Sequence, residues 1–286
     1  MKKSIILLVV TLIIIFSCSK TDDAIAQDSS ILPKRVINVT QYSNAESLIS
    51  YNGNKIFEVN AINFNNNQNT KTIFTYNGDL IAKTERFRNN LIDSSNDFTY
   101  ENNKLKSVLH IDYGLNQSAV YKYRIAYSYN QNGTILVENY IINIQTGAET
   151  KNDNSTIYTF DNGNLKKKVD NSSYSNFNGN NNTVVYNRYT SIYEYDNKSN
   201  PFKNIVGLGK INLDILSVNN IIKSTNFYET STDKIIYSTP SPQIVTNYIL
   251  LYAANNFLKE SKYDEIKTGG SGLPETFTNT SQFFYE

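Results

Sequence analysis

His110 is the one histidine of a 286-residue chain, and Asp112 follows two residues later in KLKSVLHIDYG. Residues i and i+2 of an extended strand share a face, so this pair could pass a proton between carboxylate and imidazole. The same spacing equally suits a histidine packed across strands or facing solvent. Glu85, Glu101, Glu138 and Glu194 fall in or beside extended segments, and no spacing pairs any two of them. Carboxylate pairs that cleave glycosidic bonds are defined in space, so a glycan-acting enzyme with carboxylates on a concave face stands as the rival reading. DNGN (161–164) and NDNS (152–155) lack the alternating Asp ligands and closing Glu of a calcium loop and read as turns. Gly207-Leu208-Gly209 is too short to cradle phosphate, and no serine sits in a nucleophile elbow. These residues predict no catalytic constellation, no cofactor and no metal.

Cys18 is the only thiol. It stands directly after Lys2-Lys3 and the mostly apolar stretch Ile5–Phe16, which is too short to span a bilayer and placed where a secretory signal belongs. Small Ser17 followed by Cys18 resembles the lipobox of bacterial lipoproteins. The resemblance implies cleavage between Ser17 and Cys18 and acylation of Cys18, so that the membrane becomes a partner through acyl chains. Ser19-Lys20-Thr21-Asp22-Asp23 opens a polar tether and is similar to the surface-export signal of Bacteroidota lipoproteins. Residues 1–17 are thus expected as a signal peptide, 18–40 as lipidated Cys and tether, and 41–286 as a single β-repeat domain. The expected location is the outer membrane, lipid-anchored, facing the periplasm or the cell surface.

Lys+Arg 27 against Asp+Glu 26 leaves +1, without the basic footprint of a nucleic-acid binder. Tyr 22 and Phe 14 with Trp 0 is an aromatic load suited to strands. Asn runs such as Asn65-Asn66-Asn67 and Asn180-Asn181-Asn182 suit turns, which accept Asn well; sugar-binding tips are the other use considered.

One pattern recurs along the chain. LISYNGNKIFEV (48–59), IFTYNGDLIAKT (73–84), DFTYENNKLKSV (97–108), AYSYNQNGTILV (126–137), IYTFDNGNLKKK (157–168) and IYEYDNKSNPFK (192–203) each join an alternating strand, an aromatic residue, an Asn/Asp/Gly turn and a second strand opened by an apolar residue. YILLYAANNFLKES (248–261) is a looser copy, and QFFYE (282–286) begins another. Asn-Gly between alternating runs is a strong hairpin signal. Period two puts Tyr121, Tyr123, Ile125, Tyr127 and Tyr129 on one face, Phe74 with Tyr76, and Ile81, Lys83 and Glu85 on one side opposite Leu80, Ala82 and Thr84. Asn200-Pro201-Phe202 should break the repeat, since Pro removes a ladder donor, and NLDILSVNNII (212–222) is the only helical candidate.

The aromatic-x-Tyr-Asp/Asn-x-x-Gly-x-Leu unit resembles the YD repeats of RHS proteins. YEYDNKSNPFK resembles the turn of an uncharacterised Bacteroidota lipoprotein family with a porin-like barrel and no assigned function. The expected fold is all-β: an antiparallel up-and-down meander of hairpin repeats curled into a barrel or half-barrel, soluble because Lys and Arg recur within its strands. The expected role is a monomeric, non-enzymatic envelope protein that binds a glycan or protein ligand or acts as scaffold, with a purely structural shell as a further rival.

Overall fold

A computed structural model describes residues 31–40, 42–178, 181–215, 217–240, 244–254, 256–268 and 274–285. Sixteen antiparallel strands form one closed barrel in which each strand pairs with its chain neighbours and β1 (Arg35–Val39) closes on β16 (Pro274–Phe284). The meander is therefore a closed barrel, not a half-barrel. β1 lies within the stretch expected as tether, so the barrel begins before residue 41. A five-residue strand without a repeat motif gave no signal of its own.

Hairpins at one end are tight. They join β2 (Asn44–Asn52) to β3 (Lys55–Asn63), β4 (Gln68–Asn77) to β5 (Leu80–Arg88), β6 (Leu91–Glu101) to β7 (Lys104–Tyr113), and β10 (Glu149–Asp161) to β11 (Asn164–Asn178). Between them run β8 (Ala119–Tyr129) and β9 (Thr134–Ile142). The Asn abundance has a local use here, because Asn102 and Asn103 both adopt positive φ (50° and 63°), as a type I′ turn demands.

Most of these hairpins carry a bulge at the repeat's aromatic residue. In β4–β5, Thr75 faces Lys83 but Tyr76 faces Ile81, leaving Ala82 as the extra residue. The bulge corrects the simple period-two reading of β5. Ile81 and Thr84, three residues apart, both share the face of Tyr76 and Phe74, while Lys83 and Glu85 take the other.

Between β12 (Asn181–Ser199) and β13 (Asn219–Ser231), the nineteen residues Asn200–Val218 make a circuit of the tight-turn end. Phe202 meets Phe283 edge to face at 5.8 Å, and Ile205 packs with Leu32 and Ile56. Val206 donates its N–H to Asn54 O, and Lys210 Nζ donates to Asn103 Oδ1 at 2.7 Å. Leu213 packs with Ile135, Val137, Tyr158 and Leu165, and Val218 N–H returns to Gly163 O. Sixteen strands about 4.8 Å apart have a perimeter of at least roughly 77 Å before tilt. Nineteen residues reach at most about 68 Å. A segment that touches every quadrant therefore runs inside the barrel, and the strand face in contact with it is the inner face.

This ring is the break expected at Asn200-Pro201-Phe202. It also corrects two sequence expectations. Asp196-Asn197-Lys198 is not a hairpin turn, because β12 continues to Ser199 and its partner strand arrives only after the ring. The described residues of 212–222 form no helix: β13 occupies Asn219 onward, and the only helix among the described residues is α1 (Leu208–Ile211). Its single turn fits the path of the ring.

The repeat's aromatic has a physical role in this arrangement. The residue that opens each second strand is buried under the ring end: Ile56, Ile81, Leu105, Ile135, Leu165 and Leu258. The next repeat's tyrosine hydroxyl satisfies the backbone there. Ile56 N–H donates to Tyr76 Oη at 3.1 Å, Tyr100 donates to Ile81 O at 2.8 Å, Tyr195 to Leu165 O at 2.7 Å, and Tyr285 to Leu258 O at 2.8 Å. Burial pushes the Tyr100 and Tyr195 phenols up to about 12. Tyr100→Phe is expected to destabilise the barrel by about 1–3 kcal/mol in urea unfolding, since it leaves a buried carbonyl without its donor. A change within 0.3 kcal/mol, on the order of measurement scatter, would remove the hydroxyl from the account.

Candidate functional site

On the inner face, among the described residues, the ring end is filled and the opposite end is not. Ile81 and Leu105 are essentially inaccessible, and their strands continue away from the ring into inner rows of polar and aromatic residues. Register defines two such rows on β5–β8. One runs Thr84, Asn96, His110, Tyr123, and the next, farther from the ring, runs Arg86, Ser94, Asp112, Tyr121. A bulge after Arg86 brings Asp93 to this wall, where it meets Arg86 at 2.5 Å and Arg88 at 3.3 Å.

His110 and Asp112 do share a face, and a third residue joins them. His110 Nε2 lies 2.9 Å from Asp112 Oδ1, and Nδ1 lies 2.8 Å from Asn96 Oδ1. The imidazole stacks on Tyr123 at 4.5 Å between centroids, and Tyr121 tilts against Tyr123 at 5.5 Å. Burial raises the Tyr123 phenol above its ordinary range. Tyr121 is 44% exposed although it points into the barrel.

Across the lumen, Tyr189 and Tyr228 face each other on β12 and β13, 39% and 42% exposed. Lys168 on β11 reaches Asp214 of the ring at 3.3 Å and Asp170 at 3.8 Å. Inward side chains that remain accessible on opposite walls require an open mouth at the end away from the ring.

The other carboxylates noted in the sequence do not gather there. Glu85 pairs with Lys83, Glu138 with Lys151 and Glu194 with Lys223. Their register puts all three on the outer face, while Glu101 sits beside a tight turn with Lys106. Asp161–Asn164 forms the β10–β11 turn and Asn152–Ser155 lies within β10. Gly207-Leu208-Gly209 belongs to the ring. Among the described residues, no three His, Cys, Asp or Glu side chains cluster as metal ligands. Cys18 and Ser17 lie outside the described residues. Arg86, Asp93 and Asn96 escaped sequence reading because bulges on both sides of β5 shift which residues face inward; the alternation Thr84, Arg86, Arg88 was the available signal.

No protein-family model matches the chain, and no curated protein matches it. A solved porin-like protein of Bacteroides vulgatus is similar over 90% of this chain and 99% of its own, at 13% identity and a TM-score of 0.51. A porin-like protein of Bacteroides uniformis is 10% identical, with 89% and 96% covered and a TM-score of 0.47. A Bacteroides fragilis protein of unknown function is 11% identical over 53% of this chain, with a TM-score of 0.30. The first of these shares the barrel fold.

Proposed function

We propose that the chain is a lipid-anchored, non-enzymatic envelope protein whose barrel stands in water and binds a ligand through the mouth opposite the ring. The observation that carries the reading is the outer face. Ion pairs recur around its perimeter: Arg35–Glu46 on β1–β2, Lys83–Glu85 on β5, Arg124–Glu149 on β8–β10, Lys223–Glu194 on β12–β13 and Lys262–Glu260 on β15 (Leu258–Thr268). In a lipid-facing band each Lys or Arg near the midplane would cost about 2–4 kcal/mol. In water the same pairs are ordinary surface contacts.

The anchor fits this geometry. Ile31 O accepts from Asn204 of the ring, and Leu32 packs against Ile205, so the chain enters at the ring end. Cys18 stands thirteen residues before Ile31, a tether of at most about 45 Å. Acyl chains on Cys18 would hold the ring end toward the outer membrane and turn the open mouth away from it, as a monomer with its lumen free for ligand.

Palmitate incorporation should be abolished by Cys18→Ala, and a chain starting at Ser19 should be monodisperse without detergent. Label persisting in the variant would refute the anchor. A requirement for detergent would refute the water-facing barrel.

A further inference from the structure

We propose that the β5–β8 wall is a carbohydrate site, which takes a neutral sugar ring against Tyr121 and holds its hydroxyls through Asp112, Asn96 and Arg86. This rests on the reading of the lumen as a binding chamber and names the ligand class. The charges of the wall select a neutral ligand. Arg86 and Arg88 converge on Asp93, and His110 meets Asp112. The groups that are charged whatever the state of His110 balance two against two, Arg86 and Arg88 with Asp93 and Asp112, so the wall offers an ionic ligand no net counter-charge. A polyol needs none. A carboxylate can accept about four hydrogen bonds and a guanidinium can donate five, so the paired groups retain capacity for hydroxyls.

The aromatic geometry points the same way. His110, Tyr123 and Tyr121 lean on one another in sequence, at 4.5 Å and 5.5 Å between centroids, and the last of them is the exposed one. The result is a backed aromatic platform rimmed by a carboxylate, an amide and a guanidinium. That pairing of one flat apolar face with a few convergent polar groups matches the amphipathic face of a sugar ring. Because neighbouring rings already fix the platform, little side-chain freedom is lost on binding.

The strands of the barrel close on themselves within residues 35–284, so the chain starting at Ser19 serves as test object. It is titrated calorimetrically with cellohexaose, maltohexaose, mannohexaose and a sulfated hexasaccharide. At least one neutral oligosaccharide should bind, and the sulfated one no more tightly. Tyr121→Ala should weaken binding at least about tenfold, equivalent to about 1.4 kcal/mol, and Asp112→Asn severalfold, with the thermal midpoint of Tyr121→Ala unchanged. Failure of every neutral sugar, tighter binding of the sulfated one, or affinity unaffected by Tyr121→Ala would overturn the assignment. Nitration by tetranitromethane separates this from failure of the wider reading. Ready modification of Tyr121 beside a protected Tyr158 keeps the open lumen and removes only the sugar. Equal protection of both would remove the chamber itself.

Discussion

Asp196→Ala is expected to lower the unfolding free energy by about 2–3 kcal/mol, a loss typical of removing a half-buried carboxylate from several hydrogen-bonded partners. The carboxylate accepts the backbone N–H of Lys198 and of Asn220, each at 3.0 Å, and also meets the Asn220 amide and the Tyr252 hydroxyl. Lys198 Nζ lies over the Tyr252 ring at 3.7 Å. These contacts matter because of where they sit. Among the described residues, β13 and β14 (Ile244–Tyr252) pair from Lys223↔Asn247 to Asn226↔Ile244 and no farther. Below that short ladder, Asn220 Nδ2 of one strand donates to Tyr252 Oη of the other at 3.3 Å, and Asp196 holds both groups in place. Its removal should open the barrel at this sparsely paired seam, visible as early amide exchange in 219–222 and 248–252. Asp196→Asn keeps acceptor capacity on one oxygen and should lose about half as much. Urea unfolding shifted by less than 1 kcal/mol in the alanine variant would mean that the seam is held by something else.

The second large effect concerns the ring. Gly207 has φ +78°, and a Cβ placed there would lie 3.0 Å from Asp79 O and 3.3 Å from Ile81 N. Gly78, in the adjacent turn, has φ +58° with nothing within 4 Å of the same added atom. Both alanine variants incur the left-handed penalty of about 1–2 kcal/mol. Only Gly207→Ala also pushes the ring off the backbone of β5, where Ile81 is wholly buried. The expected losses are therefore about 1 kcal/mol for Gly78→Ala and about 3 kcal/mol or more for Gly207→Ala, the excess reflecting overpacking against an unyielding backbone. Equal losses in thermal or urea unfolding would show that the ring does not seat against the β4–β5 turn.

Much of this molecule is legible along the chain because its information is local. Hairpin turns announce themselves through Asn-Gly and Asn-Asn, and strand faces through the alternation of Tyr and Phe with polar residues; an up-and-down meander needs little more. The recurring tyrosine was visible as a repeat, yet its use was not. Tyr100 and Tyr195 bond backbone of the preceding hairpin, 19 and 30 residues away, which no single copy of the motif reveals. The wall around His110 was half visible. His110 and Asp112 shared a face by spacing alone, whereas Asn96, Arg86 and Asp93 joined them through pairing register and two bulges.

By itself, then, the sequence determined the class, the hairpin order and the polarity of the alternating faces, since all three follow from contacts between near neighbours. Closure of β1 on β16, the inner course of Asn200–Val218, and the division of the lumen into a packed end and an open one were decided only in three dimensions. Each depends on strands far apart in the chain meeting at a fixed register, and one extra residue at a bulge suffices to exchange inside for outside.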